Sequence, residues 1–102
     1  MSTEERTSND TITMPSQRTM VHAFKFAIED DKPIMLDYWL GSLSNEASLG
    51  KKDNGEFILF KNDEEYTSPV VKTPSRCETD LIVTTENSIY IVSKDISIIH
   101  VE

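Results

Sequence analysis

The chain of 102 residues lacks several features on which whole classes of protein depend. Cys77 is its only cysteine, so no disulfide can form within the chain, and a lone thiol is typical of a reducing compartment. Apolar runs are too short to span a bilayer, and the polar N-terminal residues lack the apolar stretch of a signal peptide. The sequence therefore predicts an intracellular, soluble protein of the cytoplasm or nucleus, with no membrane partner.

Residues for metal and cofactor binding are equally scarce. A zinc site needs about four Cys, His or carboxylate ligands, whereas Cys77, His22 and His100 are widely separated in sequence. The three glycines form no glycine-rich loop ahead of a helix, which a phosphate-binding loop would need. We therefore expect no metal and no cofactor.

Catalysis is also disfavoured by the residues that are present. A nucleophilic thiol needs a base and an orienting acid beside it, and the sequence places neither histidine near Cys77. Asp37 lies between two apolar residues of a predicted strand, where a structural hydrogen bond is favoured over acid–base work. His100 is expected at an edge or on the surface. The sequence predicts that the protein is not an enzyme.

Charge narrows the range of partners. Eighteen acidic residues against ten basic ones give a net charge of -8, which opposes binding to nucleic-acid phosphates and to anionic membranes. The acids cluster at residues 29–31 and 63–65. These clusters indicate either solvated turns or an acidic face for a basic partner.

The N-terminal part of the chain changes character near residue 17. Residues 1–18, rich in Thr, Ser and Asn, are predicted to be a flexible arm, and residues 19–102 a single domain. A helix is predicted over residues 17–30, with Ser16 as its N-cap and Pro33 enforcing its end. Phe26 is expected to be partly exposed or covered by the arm. The core stripe of the helix is predicted to contain Met20, Phe24, Ala27 and Ile28, widened by Val21 and Ala23.

Short strands are predicted for the rest of the chain. Asn54-Gly55 is typical of a hairpin turn, here between strands at 47–51 and 56–61. Pro69 cannot donate a ladder hydrogen bond and predicts a sheet edge in the stretch 66–72. Residues 73–80 are expected to be a loop, and 81–85, 89–93 and 96–101 to be strands. Alternation over residues 34–40 predicts a strand with Ile34, Leu36, Tyr38 and Leu40 facing the core and Met35, Asp37 and Trp39 on the other face.

One helix followed by five or six strands predicts a mainly β domain of the α+β class. Its connections are short, which favours antiparallel pairing because parallel strands need long crossovers. A small, partly open antiparallel barrel of the SH3-like or Sm-like kind, with the helix over one end or face, fits the strand count best. An open antiparallel sheet with one packed helix is the alternative.

Three strand segments carry apolar side chains at both odd and even positions, and hence on both faces of the strand: residues 57–60, 89–92 and 96–101. Such strands need cover on both faces, and one helix cannot supply all of it. We therefore expect an apolar surface that a protein partner or a second copy covers. Trp39 is either covered by the helix or an exposed interface anchor. The candidate interface residues are Met35, Trp39, Phe26, Tyr66, Pro69, Ile99 and Val101.

Three blocks of sequence carry a resemblance to known proteins. They are Asp31-Lys32-Pro33-Ile34-Met35-Leu36-Asp37-Tyr38-Trp39, Glu65-Tyr66-Thr67-Ser68-Pro69 and Thr85-Glu86-Asn87-Ser88-Ile89-Tyr90. Together they resemble short uncharacterised proteins of large DNA viruses. The resemblance implies a small accessory or virion-associated protein, and it carries no catalytic residues.

Two functional hypotheses follow from these patterns. The first is a non-enzymatic, β-rich protein that acts by protein–protein association, through self-association or as a structural or accessory component of a larger assembly such as a virion. The alternative is an acidic inhibitor or decoy that binds a basic nucleic-acid-binding protein. That alternative predicts strongly salt-dependent binding, because salt screens the attraction between exposed charges.

Overall fold

The computed structural model describes residues 14–101, so most of the predicted arm, residues 1–13, lies outside the described residues, as does Glu102. Of the remaining arm residues, Pro15 is buried and Ser16 caps the first helix. The predicted mainly β, α+β class is confirmed. The described elements are α1 (Gln17–Asp30), β1 (Ile34–Met35), α2 (Trp39–Ser44), β2 (Ser48–Lys51), β3 (Phe57–Asn62), β4 (Glu65–Tyr66), β5 (Ser75–Cys77), β6 (Asp80–Thr84), β7 (Ile89–Ser93) and β8 (Ser97–His100).

The strands form two four-stranded sheets of mixed direction. The first sheet has the order β1-β7-β6-β5 and the second the order β4-β3-β2-β8. β1 runs parallel to β7, and β8 runs parallel to β2, whereas the other pairs are antiparallel. The prediction of purely antiparallel strands is therefore wrong. Short connections require antiparallel pairing only between consecutive strands, whereas the parallel partners lie far apart in the chain and need no tight crossover.

The two sheets do not close into a barrel among residues 14–101. They are joined instead by the segment that follows β4. The Val70 N–H donates to the Phe57 carbonyl of the second sheet at 2.8 Å, and the Val71 N–H donates to the Thr84 carbonyl of the first sheet at 2.9 Å. This single segment connects the two sheets by hydrogen bonds. It does not cover the edge strands of either sheet.

The first sheet is the middle layer of three. On one face Ile82, Ile89 and Ile91 pack against Ala23 of α1 and Trp39 of α2. The helices therefore cover this face. β7 carries apolar side chains on both of its faces. The helices bury one face and the second sheet buries the other, as the sequence predicts.

The opposite face of the first sheet packs against the second sheet. Val83 and Val92 pack against Leu49 and Leu59 in a buried cluster that also contains Tyr38. Among residues 14–101, only one face of the second sheet contributes residues to the two described clusters.

α1 begins and ends where the sequence predicts. The Ser16 Oγ accepts a hydrogen bond from the Thr19 N–H at 3.1 Å, which satisfies a free donor of the first turn. Asp31 ends the helix with a φ of 54°.

The packed face of α1 is not the predicted stripe. Thr19 and Ala23 are buried, whereas Val21, Phe24 and Ile28 are 52%, 54% and 81% exposed. The cause is polar, because the buried Asp80 carboxylate of β6 accepts a hydrogen bond from the Thr19 hydroxyl at 2.8 Å. This contact turns the Thr19 side of the helix toward the sheet, and the larger apolar side chains point away.

Residues 34–40 also depart from prediction, because the strand ends at residue 35 and a second helix follows. Leu40, a predicted core residue, is 63% exposed, whereas Trp39 is 4% exposed. The Ser42 hydroxyl donates to the Trp39 carbonyl at 2.6 Å and accepts from the Ser93 N–H at 2.9 Å. These bonds attach α2 to the end of β7, so tertiary contacts override the strand-like alternation.

The hairpins are confirmed. β2 and β3 pair in register around the predicted turn, where Gly55 has a φ of 91° and its N–H donates to the Lys52 carbonyl at 2.9 Å. β6 and β7 pair through to Thr84 opposite Ile89. The predicted loop at 73–80, in contrast, contains β5, which pairs with β6.

Candidate interface on the second sheet

The outer face of the second sheet, turned away from the first, carries a group of apolar side chains. Alternate side chains of a strand point to opposite faces, and the register aligns Gly50 with Ile58 and Ile99, and Phe60 with Tyr66. Val101 follows Ile99 at the same parity. The surface formed by Ile58, Phe60, Tyr66, Ile99 and Val101 is called the outer sheet face below.

Gly50 allows Val101 and Ile58 to pack closely against the backbone of β2. A Cβ atom at this position would lie 3.1 Å from Val101 Cγ2 and 3.5 Å from Ile58 Cγ1. The Val101 side chain therefore lies directly over the backbone of β2, next to the buried Ile58. The absence of a side chain at residue 50 is what lets the last strand contribute to a continuous apolar surface.

An aromatic pair stands at the other end of this face. The rings of Phe60 and Tyr66 stack with their centroids 6.5 Å apart and an angle of 21° between their planes. Tyr66 is nevertheless 58% exposed. A tyrosine held by one ring face with the other open to solvent is the type of side chain that anchors protein interfaces.

Opposite charges flank the apolar residues. A shallow depression on the outer sheet face is lined by Lys52, Ile58, Phe60, Asp63, Tyr66 and Val101. Lys52 precedes β3 and Asp63 follows it, so the cation and the anion lie at opposite ends of the strand. Within residues 14–101 neither side chain has an ion pair or a hydrogen bond. Both charges are therefore available to a partner.

β8 adds an open sheet edge. Among the residues that the structure describes, β8 pairs only with β2. The Val101 N–H donates to the Lys51 carbonyl at 2.9 Å, so the backbone groups of Ile98 and His100, at the other parity, point away from the sheet. Ile98 and Ile99 are 66% and 37% exposed. An edge strand with free backbone groups and apolar side chains is a template for another chain.

Three of the predicted interface residues are brought together. Tyr66, Ile99 and Val101 all belong to the outer sheet face, although β4 and β8 are far apart in the chain. The grouping depends on β8 running parallel to β2, which the sequence did not predict.

The other four predicted interface residues lie elsewhere. Trp39 is buried, so its reading as an exposed anchor is wrong, and Met35 is half-buried in β1. Phe26 is half-buried, with the Lys72 Nζ 5.3 Å from its ring centroid. Pro69 is not at a free edge, because its carbonyl accepts the Glu86 N–H at 3.1 Å in the segment between the sheets. These four residues do not form a common surface with the outer sheet face.

The residues considered for chemistry do not assemble a catalytic group. His22 and Cys77, distant in sequence, line one depression, but no hydrogen bond joins them within the described residues and Cys77 is buried. Asp37 is exposed beside α2 instead of lying within a strand. The His100 Nε2 lies 2.8 Å from Asp53 Oδ1 on the surface, where solvent screens such a pair.

Residues 14–101 contain no group of three or more His, Cys, Asp or Glu side chains that could hold a metal ion. Neither α1 nor α2 is long and apolar enough to cross a membrane.

Sequence reasoning missed a second exposed apolar surface. Val21, Phe24 and Ile28 form a stripe along α1 with spacings of three and four residues. The spacing predicts a core-facing stripe, because a periodic apolar stripe normally faces inward.

Tested against protein-family models, curated proteins and solved structures, the chain matches none of them.

Proposed function

We propose that this protein acts without catalysis, by binding another protein chain through the outer sheet face. The observation that carries the proposal is the contrast between the two sheets. The first sheet has both faces covered, whereas the second presents Tyr66 and Ile99 to solvent on a face that lies outside both buried clusters. An apolar sheet face of this kind is typical of an interaction surface.

The size of the outer sheet face indicates a weak interaction. Four strands about 4.8 Å apart, with about four residues each at 3.3 Å, span roughly 19 Å by 13 Å. The resulting footprint of about 250 Å² is close to the lower end of the range for the largest apolar patch of a typical monomer. It is smaller than the roughly 800 Å² per partner of a standard stable interface. We therefore infer reversible docking of the kind that repeated contacts strengthen in a structural assembly, such as a virion.

The acidic-decoy alternative receives less support. Lys72 Nζ lies 2.6 Å from Asp30 Oδ2, and Lys61 Nζ lies 3.2 Å from Glu65 Oε2. Both acidic clusters are thus partly neutralised within the chain, which favours their role as paired, solvated turns over a continuous acidic surface.

Serine substitution of exposed residues on the two apolar surfaces tests the proposal. One variant combines Tyr66→Ser with Ile99→Ser on the outer sheet face. Its control combines Val21→Ser with Phe24→Ser on α1, where the exposure is similar. Mass would be followed against concentration by size-exclusion chromatography with light scattering, and bound proteins would be recovered from the native source.

The outer-face variant is expected to lose association, whereas the α1 variant retains it. Two results would contradict the proposal: a wild-type chain that is monomeric and binds nothing, or loss of association in the α1 variant alone.

A further inference from the structure

We propose that a second copy of this chain occupies the outer sheet face, packed about a two-fold axis with the two β3 strands antiparallel. The inference rests on the proposed function and names the partner of the same surface. It follows from the distribution of charge and shape over the depression along β3, which is self-complementary.

The charges select the antiparallel arrangement. Lys52 and Asp63 lie at opposite ends of β3 and line the same depression. A two-fold axis that crosses β3 within the interface plane places Lys52 of each copy over Asp63 of the other, forming two equivalent ion pairs. An axis parallel to β3 would instead bring like charges together, which is costly at an interface.

The apolar side chains agree with the same axis. The aromatic residues Phe60 and Tyr66 lie toward the Asp63 end of the depression, and the aliphatic residues Ile58 and Val101 lie toward the Lys52 end. Antiparallel packing sets Phe60 and Tyr66 of each copy over the aliphatic end of the other copy's β3. The exposed ring of Tyr66, which belongs to the edge strand β4, then lies beside Ile58 of the other copy.

Because the net charge is -8, association of two copies requires opposite charges that meet at the contact. Two copies repel each other at a distance, and salt screens this repulsion beyond about 8 to 10 Å. At contact the unpaired cation and anion oppose that repulsion and determine the orientation. The dimer is therefore expected to be weak and to have one defined register.

Charge reversal tests the arrangement directly. Lys52→Glu and Asp63→Lys each place like charges at both contacts of a two-fold dimer, so each variant alone should dimerise at least about tenfold more weakly than wild type. An equimolar mixture of the two variants restores opposite charges at both contacts of a heterodimer. Sedimentation velocity on the full chain would measure each variant and the mixture at matched concentrations.

Recovery of the dimer in the mixture is the expected result, because only an intermolecular two-fold contact between these residues predicts it. The controls Lys25→Glu and Glu46→Lys change exposed charges elsewhere and should leave dimerisation at the wild-type level. Circular dichroism would establish that each variant is folded.

Two results would overturn the second-copy inference. In the first, both variants dimerise as wild type does, or the mixture stays monomeric. In the second, the wild type is monomeric but captures another protein that the Tyr66→Ser, Ile99→Ser variant does not, in which case the proposed function stands. A wild type that is monomeric and binds nothing would overturn both.

Discussion

The hydroxyl of Thr19 donates a hydrogen bond of 2.8 Å to the Asp80 Oδ2 in the interior, across 61 positions of sequence. Asp80 also accepts the Ser16 N–H at 3.1 Å. One buried carboxylate of β6 therefore fixes the N-terminal turn of α1. The contact determines which side of the helix faces the sheet, and it leaves Phe24 and Ile28 in solvent.

Asp80→Ala should be strongly destabilising. The substitution leaves the Ser16 N–H without its acceptor, and it leaves the Thr19 hydroxyl with the longer bond to the Cys77 carbonyl at 3.3 Å and the contact with Ser16 Oγ. A loss of this kind costs about 2 kcal/mol. Urea unfolding followed by circular dichroism would measure the change. Asp95→Ala, at an exposed carboxylate, is the control and should change the free energy of unfolding by less than about 0.5 kcal/mol. Equal stabilities for the two variants would show that Asp80 does not anchor the helix.

Trp39→Ala should act on folding. Trp39 is buried between α1 and the first sheet, and truncating such a side chain costs about 3 to 5 kcal/mol. Leu40→Ala, at the exposed neighbouring position, should cost less than about 1 kcal/mol. Thermal unfolding would measure both. A Trp39→Ala variant with unchanged stability and weaker association would instead show that Trp39 belongs to the interface.

Tyr66→Ala should weaken association without unfolding the domain. The exposed ring is the anchor of the outer sheet face, and removal of such an anchor costs about 2 kcal/mol of binding free energy. Tyr66→Phe retains the stack on Phe60 and should bind close to the wild-type level. The dissociation constants come from sedimentation equilibrium. Equal dissociation constants for the alanine and phenylalanine variants would show that the Tyr66 ring does not contribute to the interface.

Stability should fall at alkaline pH through Tyr38. Burial, followed by the negative charge of Glu65, raises the pKa of this phenol from 10.0 to about 12. Since the folded pKa is above the unfolded one, the contribution is fully present below pH 10 and is lost as the pH rises from 10 to 12.

Tyr38→Phe should therefore lose less stability than wild type across that range, as measured by urea unfolding. Tyr66→Phe removes the hydroxyl group of an exposed tyrosine and serves as the matched substitution. Parallel curves for wild type and Tyr38→Phe would show that the phenol does not titrate differently in the folded state.

Local signals in the sequence predicted the elements whose stability is local. The Ser16 cap and Pro33 bound α1 correctly, and Asn54-Gly55 located the first hairpin. In each case the residues that determine the structure are neighbours in the chain, so their spacing alone is informative.

The pairing of distant segments could not be predicted from local patterns. The parallel partnership of β8 with β2 is specified by packing over Gly50, and the rotation of α1 by Asp80. Neither contact has a signature in adjacent residues. The outer sheet face depends on the pairing of β8 with β2. The sequence could therefore identify Tyr66, Ile99 and Val101 individually as interface candidates, but it could not predict that they form one surface.

The most direct test of association through the outer sheet face is a dilution series of the isotopically labelled full chain, followed by nuclear magnetic resonance. Backbone and methyl shifts of Ile58, Ile99 and Val101 are expected to change with concentration, together with the ring signals of Tyr66. The α1 stripe is expected to stay constant. Shifts confined to Val21, Phe24 and Ile28, or no shifts at any concentration in a chain that also binds no other protein, would contradict the assignment of this face.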